Sequence, residues 1–138
     1  MTDAEADDRE AIRELLLRYA RGVDTRDLTL VRSCFVPGAA YRGALASGTI
    51  ADALDALPAA MSRYTATRHA ITAQSLDIEG DTARSSADCT AQHWLPDGSC
   101  RTVSVRYDDE LVRGPAGWRI SRRHVEQLRA DGEEDPDA

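Results

Sequence analysis

"TARSSADCTAQHW" (residues 82–94) alternates between two kinds of side chain. In an extended chain Ala83, Ser85, Ala87, Cys89, Ala91 and His93 share one face, and Arg84, Ser86, Asp88, Thr90 and Gln92 take the other. The second set suits water. The first set is small, so as the inner face of a sheet it fills little volume and leaves a hollow, with His93 at its end.

The same period of two holds on either side of this stretch. "TATRHAITAQSLDIEG" (65–80) reads as a strand ending at Glu79-Gly80-Asp81, and residues 82–95 close on Pro96-Asp97-Gly98-Ser99. "CRTVSVRYDDELVR" (100–113) closes on "GPAG", and "GWRISRRHVEQ" (117–127) is the last strand. Four long strands joined by tight turns make an antiparallel meander. Val103, Val105, Tyr107 and Leu111 share a face of the third, and Trp118, Ile120 and Arg122 of the fourth. His124 continues that register among charges, as a solvated or sheet-edge residue.

Upstream the period changes. Ile12, Leu15, Leu16, Tyr19, Ala20 and Val23 form one stripe of an α-helix. "DTRD" (24–27) offers an N-cap for a short second helix through "LTLVRSCF", which Val36-Pro37-Gly38 ends. A strand is expected in "AAYRG" (39–43), and a third helix in "GTIADALDALPAAMSRY" (48–64), interrupted or kinked at Pro58. Helices first and an antiparallel meander afterwards define an α+β class. The expected architecture is a cone-shaped barrel, three N-terminal helices packed on a strongly curved antiparallel sheet.

The 138 residues suffice for one domain, expected over 1–129, followed by an acidic disordered tail at 130–138. No apolar run approaches the ~20 residues of a membrane span, and the acidic N-terminus has no signal-peptide core, so a cytoplasmic address is expected. Of the net charge of −7, five units belong to acids in the last eight residues. The nearly balanced remainder lacks the basic face of a nucleic-acid binder. All 17 basic residues are arginine. Cys34, Cys89 and Cys100 are not clustered, so a metal site is not expected and three reduced thiols are.

"TRHAIT" (67–72) holds one of only three histidines, His69, His93 and His124. Either His69 or His93 alone could be a satisfied structural imidazole; two on neighbouring strands facing one pocket would be a different matter. Asp24 leaves the first helix beside its apolar stripe. It is either a solvated cap or a third member of that group.

In layout the chain resembles the SnoaL-like branch of the nuclear transport factor 2 and ketosteroid isomerase superfamily. The carriers are "IRELLLRYARGVDTRDLTLVRSCFVP", "YRG", "TRHAIT", "DTARSSADCTAQHW" and "GWRISRR", between about Arg9 and Val125. Within it the site is most similar to the scytalone dehydratases, which remove water from a hydroxylated cyclic ketone without metal or cofactor. "VDTRD" implies Asp24, "YRG" implies Tyr41, "TRHAIT" implies His69 and "AQHW" implies His93. Val23 replaces a tyrosine of that family, Tyr107 stands near an asparagine's place, and the family's C-terminal pocket cover has no equivalent.

The resemblance implies acid–base chemistry on a small apolar or aromatic hydroxy-carbonyl, or polyketide-like, compound. His69 or His93 would shuttle the proton, and Asp24 would fix the tautomer of one imidazole, His93 being the favoured partner. Tyr41 would donate to the carbonyl oxygen as charge develops. Tyr19, Val23, Phe35, Tyr107 and Trp118 would line the substrate pocket, or for the aromatics simply pack the core. A polyketide cyclase and a non-catalytic ligand-binding module are the alternatives, and a homodimer is implied by analogy. The Asp-Arg-Asp arrangement of epoxide hydrolases of this superfamily is not evident.

Overall fold

The computed structural model describes residues 1–132. Helices α1 (Asp3–Asp24) and α2 (Leu28–Arg32) lead into strands β1 (Phe35–Arg42) and β2 (Ser47–Thr49), then helix α3 (Ile50–Met61). Strands β3 (Ala66–Glu79), β4 (Thr82–Trp94), β5 (Cys100–Gly114) and β6 (Gly117–Asp131) complete one six-stranded sheet, ordered β2-β1-β6-β5-β4-β3. The meander is antiparallel throughout, while β1 joins β6 in parallel and β2 pairs antiparallel outside it. Register shifts in β1, β3 and within the β5–β6 pair bend these long strands around the helices.

Local chemistry accounts for the helix ends. Thr2 and Glu5 form a capping box at the start of α1, and Thr49 and Asp52 form another at α3. Asp27 caps α2 by accepting a bond from the Leu30 N–H at 3.0 Å. The α1 stripe is buried as its spacing predicts, Ile12, Leu15, Leu16, Tyr19, Ala20 and Val23 all facing the sheet. On β4 the small set lies inward: Ala83, Ser85, Ala87, Cys89, Ala91 and His93 are all buried.

Other expectations need correction. The second helix stops at Arg32, and Val36-Pro37-Gly38 does not end it but lies inside β1. Gly38 there takes φ +75° and the register slips between Phe35 and Ala40, an irregularity that admits a proline. Helix α3 continues through Pro58. The last strand runs to Asp131, so Ala130 and Asp131 belong to the sheet opposite Val103 and Thr102, not to a tail. The expected disorder of residues 133–138 lies outside the described residues. Among the described residues no helix is long and apolar enough to cross a membrane.

Gly22 marks the closest approach of α1 and α2. A Cβ there would stand 2.7 Å from Val31 Cγ2 and 3.0 Å from the Val31 backbone nitrogen. Gly22→Ala is therefore expected to destabilise the fold by about 1–3 kcal/mol despite alanine's better helix propensity, measurable as a lower urea midpoint.

Candidate active site

Where α1 ends, Asp24 comes within reach of β3. Its Oδ1 lies 2.7 Å from His69 Nδ1, and its Oδ2 accepts the His69 backbone N–H at 2.8 Å. Thr67, two residues earlier and so on the same strand face, donates its hydroxyl to Oδ1 at 3.0 Å. Arg26 braces this corner from the other side, its guanidinium donating to Thr67 Oγ1 and the Val23 carbonyl. Arg26 holds φ 61°, unusual outside glycine, which reverses the chain directly after Asp24. Partial burial opposes the Asp24 charge, but the His69 and Thr67 bonds outweigh it and hold the carboxyl below its ordinary range.

His93 belongs to the next strand, one diagonal step away, since the ladder pairs His69 with Ala91 and Thr67 with His93. The two imidazoles meet edge to face at 5.8 Å, and Tyr64 lies 4.7 Å from the His93 ring. The His93 Nδ1 is sealed from solvent and has no hydrogen-bond partner. Burial and the nearby charges of His69 and Arg101 depress its pKa to about 4, the Arg101 backbone and Asp24 working the other way.

Both histidines line a cavity of about 230 Å³ between the sheet and α3. Tyr19, Val23, Tyr41 and Tyr107 line it too. Tyr41 and Tyr107 are buried and their phenols pushed well up by desolvation, so each remains a protonated donor. The structure thus gathers Asp24, Tyr41, His69 and His93 around one hollow, with Asp24 behind His69 rather than on the wall.

Three expectations change. The imidazole bound by Asp24 is His69, not His93. Helix α1 ends against β3, the edge strand of the meander, and β4 lies one strand further in. Phe35 does not line the cavity: it packs edge-on against Tyr19 at 6.0 Å, one layer behind. Trp118 is also elsewhere, its Nε1 donating to Asp8 at 3.1 Å and its ring covered by the Arg113 guanidinium at 4.7 Å.

Behind the tyrosines lies an ion pair whose arginine the strand alternation concealed. Arg123 and Asp109 form a fully buried two-pronged ion pair at 2.8 and 2.9 Å. The guanidinium stands 4.3 Å from the Tyr19 ring and 4.1 Å from that of Tyr107. The β5–β6 register slips between Leu111, opposite Ile120, and Glu110, opposite Arg122. That shift turns Arg122 outward, contrary to expectation, and Arg123 inward. His124 is exposed as expected. Cys34 and Cys89 are buried free thiols raised by desolvation, Cys89 to about 11, and Cys100 is free and half-buried. Among the described residues no three potential ligands gather for a metal.

A neutral buried His93 has a consequence for stability. Between about pH 6.5 and 4 the unfolded chain takes up a proton at this position and the folded chain does not, so stability falls as pH falls through that window. On the order of 2–3 kcal/mol is expected to be lost. Urea midpoints at pH 7.5 and 5 should show a smaller difference in His93→Gln than in the unmodified protein.

The chain belongs to the SnoaL-like domain family, whose model matches residues 4–124. An uncharacterised protein of Mycobacterium tuberculosis is 31% identical over 126 residues, 87% of this chain and 85% of its own. Among solved structures, a candidate aromatic ring hydroxylase from Novosphingobium aromaticivorans is 26% identical, covers 93% of this chain and 94% of its own, with TM-score 0.82. A candidate scytalone dehydratase from the same organism reaches TM-score 0.87 at 16% identity, over 98% and 93% of the chains. The last likeness shows the cone-shaped α+β fold.

Proposed function

We propose that the protein is a cofactor-independent lyase or isomerase of the dehydratase type, acting by histidine–aspartate acid–base chemistry on a small cyclic hydroxy-carbonyl compound. One observation carries this reading. Asp24 accepts from both the backbone N–H and Nδ1 of His69 at 2.8 and 2.7 Å, while His69 stands on the wall of a cavity. Asp24 thereby keeps the proton on Nδ1 and leaves Nε2 as a base.

The chemistry follows from these positions. His69 Nε2 takes the proton from the carbon beside the carbonyl, and the electron pair moves into an enolate. The enolate oxygen is met by neutral donors. Tyr41 is one; His93, neutral at this depth, is the other when its proton stands on Nε2. Collapse of the enolate expels the β-hydroxyl, which leaves as water with the proton held on His69. One imidazole serves both steps, so proton and hydroxyl depart from the same face of the ring.

The names of two structural relatives, a candidate aromatic ring hydroxylase and a candidate scytalone dehydratase, support a ring compound. The SnoaL-like family match favours a second reading, ring closure by a carbon nucleophile formed through the same proton abstraction. Incubation with cyclic β-hydroxy ketones tests the choice. Release of water to a conjugated enone, lost in His69→Gln, is expected. Carbon–carbon closure would instead make it a cyclase. Absence of both, and of α-proton exchange in deuterium oxide, would leave a binding module and overturn the proposal.

A further inference from the structure

His69 and His93 serve the reacting end of a ligand; the neighbouring wall of the same cavity is cationic. Arg101 is the direct cross-strand partner of His93 in the β4–β5 ladder, so the two side chains leave the sheet side by side on its inner face. Both line the cavity. No described residue gives the Arg101 side chain a carboxylate. Among the described residues the lining includes Arg63 and Arg101 and no Asp or Glu. Arg63 lies over the Tyr64 ring at 5.2 Å. Asp24, behind that wall, is occupied by His69 and Thr67.

A half-buried guanidinium against an apolar wall favours an anion, and its planar fork matches a carboxylate with two parallel bonds. Size narrows the choice. A cavity of about 150 Å³ holds benzene, so this one, at about 230 Å³, holds a single ring with substituents. Leu57, Met61, Val103 and Val125 supply apolar wall for it. We propose that the ligand of this cavity is a monocyclic carboxylic acid, its carboxylate on Arg101 and its ring directed at His69. This deepens the acid–base reading of the same site: the hydroxy-carbonyl ring also carries a carboxylate.

Arg101 is one of the charges that keep His93 neutral. A carboxylate seated on Arg101 cancels that influence, so binding and the protonation of His93 are linked, and the titration of His93 moves upward when an acid binds.

Benzoate and its neutral counterpart benzamide are the probes, titrated into the protein while the imidazole signals are followed by NMR. Benzoate should bind at least about tenfold more tightly than benzamide at low salt, perturb His69 and His93, and raise the His93 midpoint above about 4. Arg101→Gln should bring benzoate down to the level of benzamide, and Arg101→Lys should keep part of the preference. Arg101 is half-buried near the start of β5, and an unchanged backbone amide spectrum verifies the fold of each variant. Equal affinity for the two probes, benzoate binding indifferent to Arg101→Gln, or binding of neither probe would overturn the proposal. Asp24→Asn separates this from the acid–base reading: it should remove turnover and leave the benzoate preference in place.

Discussion

Asp24→Asn is expected to lower kcat/KM by about 10³- to 10⁴-fold in a protein that remains folded. The reason lies in the geometry of one carboxylate. Asp24 Oδ2 accepts a backbone N–H, which cannot change its role, and Oδ1 accepts from His69 Nδ1 and Thr67. An asparagine has one oxygen and one NH₂ for these two places. The oxygen must face the backbone N–H, which leaves the NH₂ facing Nδ1. The imidazole then responds by moving its proton to Nε2, and the base is gone. His69→Ala removes the base outright and should be no less severe. Turnover assays on a hydroxy-ketone substrate check both, with circular dichroism to verify folding.

Asp109→Asn is expected to cost about 3–5 kcal/mol of stability. Arg123 is fully buried, faces the rings of Tyr19, Phe35 and Tyr107, and among the described residues has Asp109 as its only ion-pair partner. Burial works against its charge, and Asp109 more than restores it. Without the aspartate an uncompensated cation remains in the core. Replacing both at once, Asp109→Leu with Arg123→Met, should recover most of the loss, because the penalty belongs to the orphaned charge rather than to a missing attraction. Urea unfolding of the two single variants and the double variant measures this. Since Tyr19 and Tyr107 stand between the pair and the cavity, the double variant also tests how far the pair positions the cavity floor.

Periodicity within single elements was legible in the sequence, and relations between elements were much less so. The α1 stripe and the β4 alternation sort inward from outward residues correctly because one face of each element meets the core. They also place His93 at the end of a face of small residues, which is where the hollow lies. The partner of Asp24 is set by which strand α1 ends against, a contact spanning 45 residues that no local pattern encodes. Arg123 was hidden by the slipped β5–β6 register, since strict alternation names Arg122 instead. Asp109 sits in register between Tyr107 and Leu111, and its burial was readable from their alternation. Counting equally outward from the Pro96–Ser99 turn sets Thr102 opposite His93; the ladder is centred on Asp97 instead, which brings Arg101 there. β2 is only three residues long and carries no pattern at all.

In the proposed mechanism Asp24 holds His69 with its proton on Nδ1 and a bare Nε2 facing the cavity. A nitrogen-15 correlation spectrum of the imidazoles at alkaline pH, where they are neutral, tests it without any substrate. The expected result is a protonated Nδ1 and an unprotonated Nε2 for His69, exchanged in Asp24→Asn. A proton on Nε2 of His69 in the unmodified protein, or a spectrum unchanged by the substitution, would contradict it.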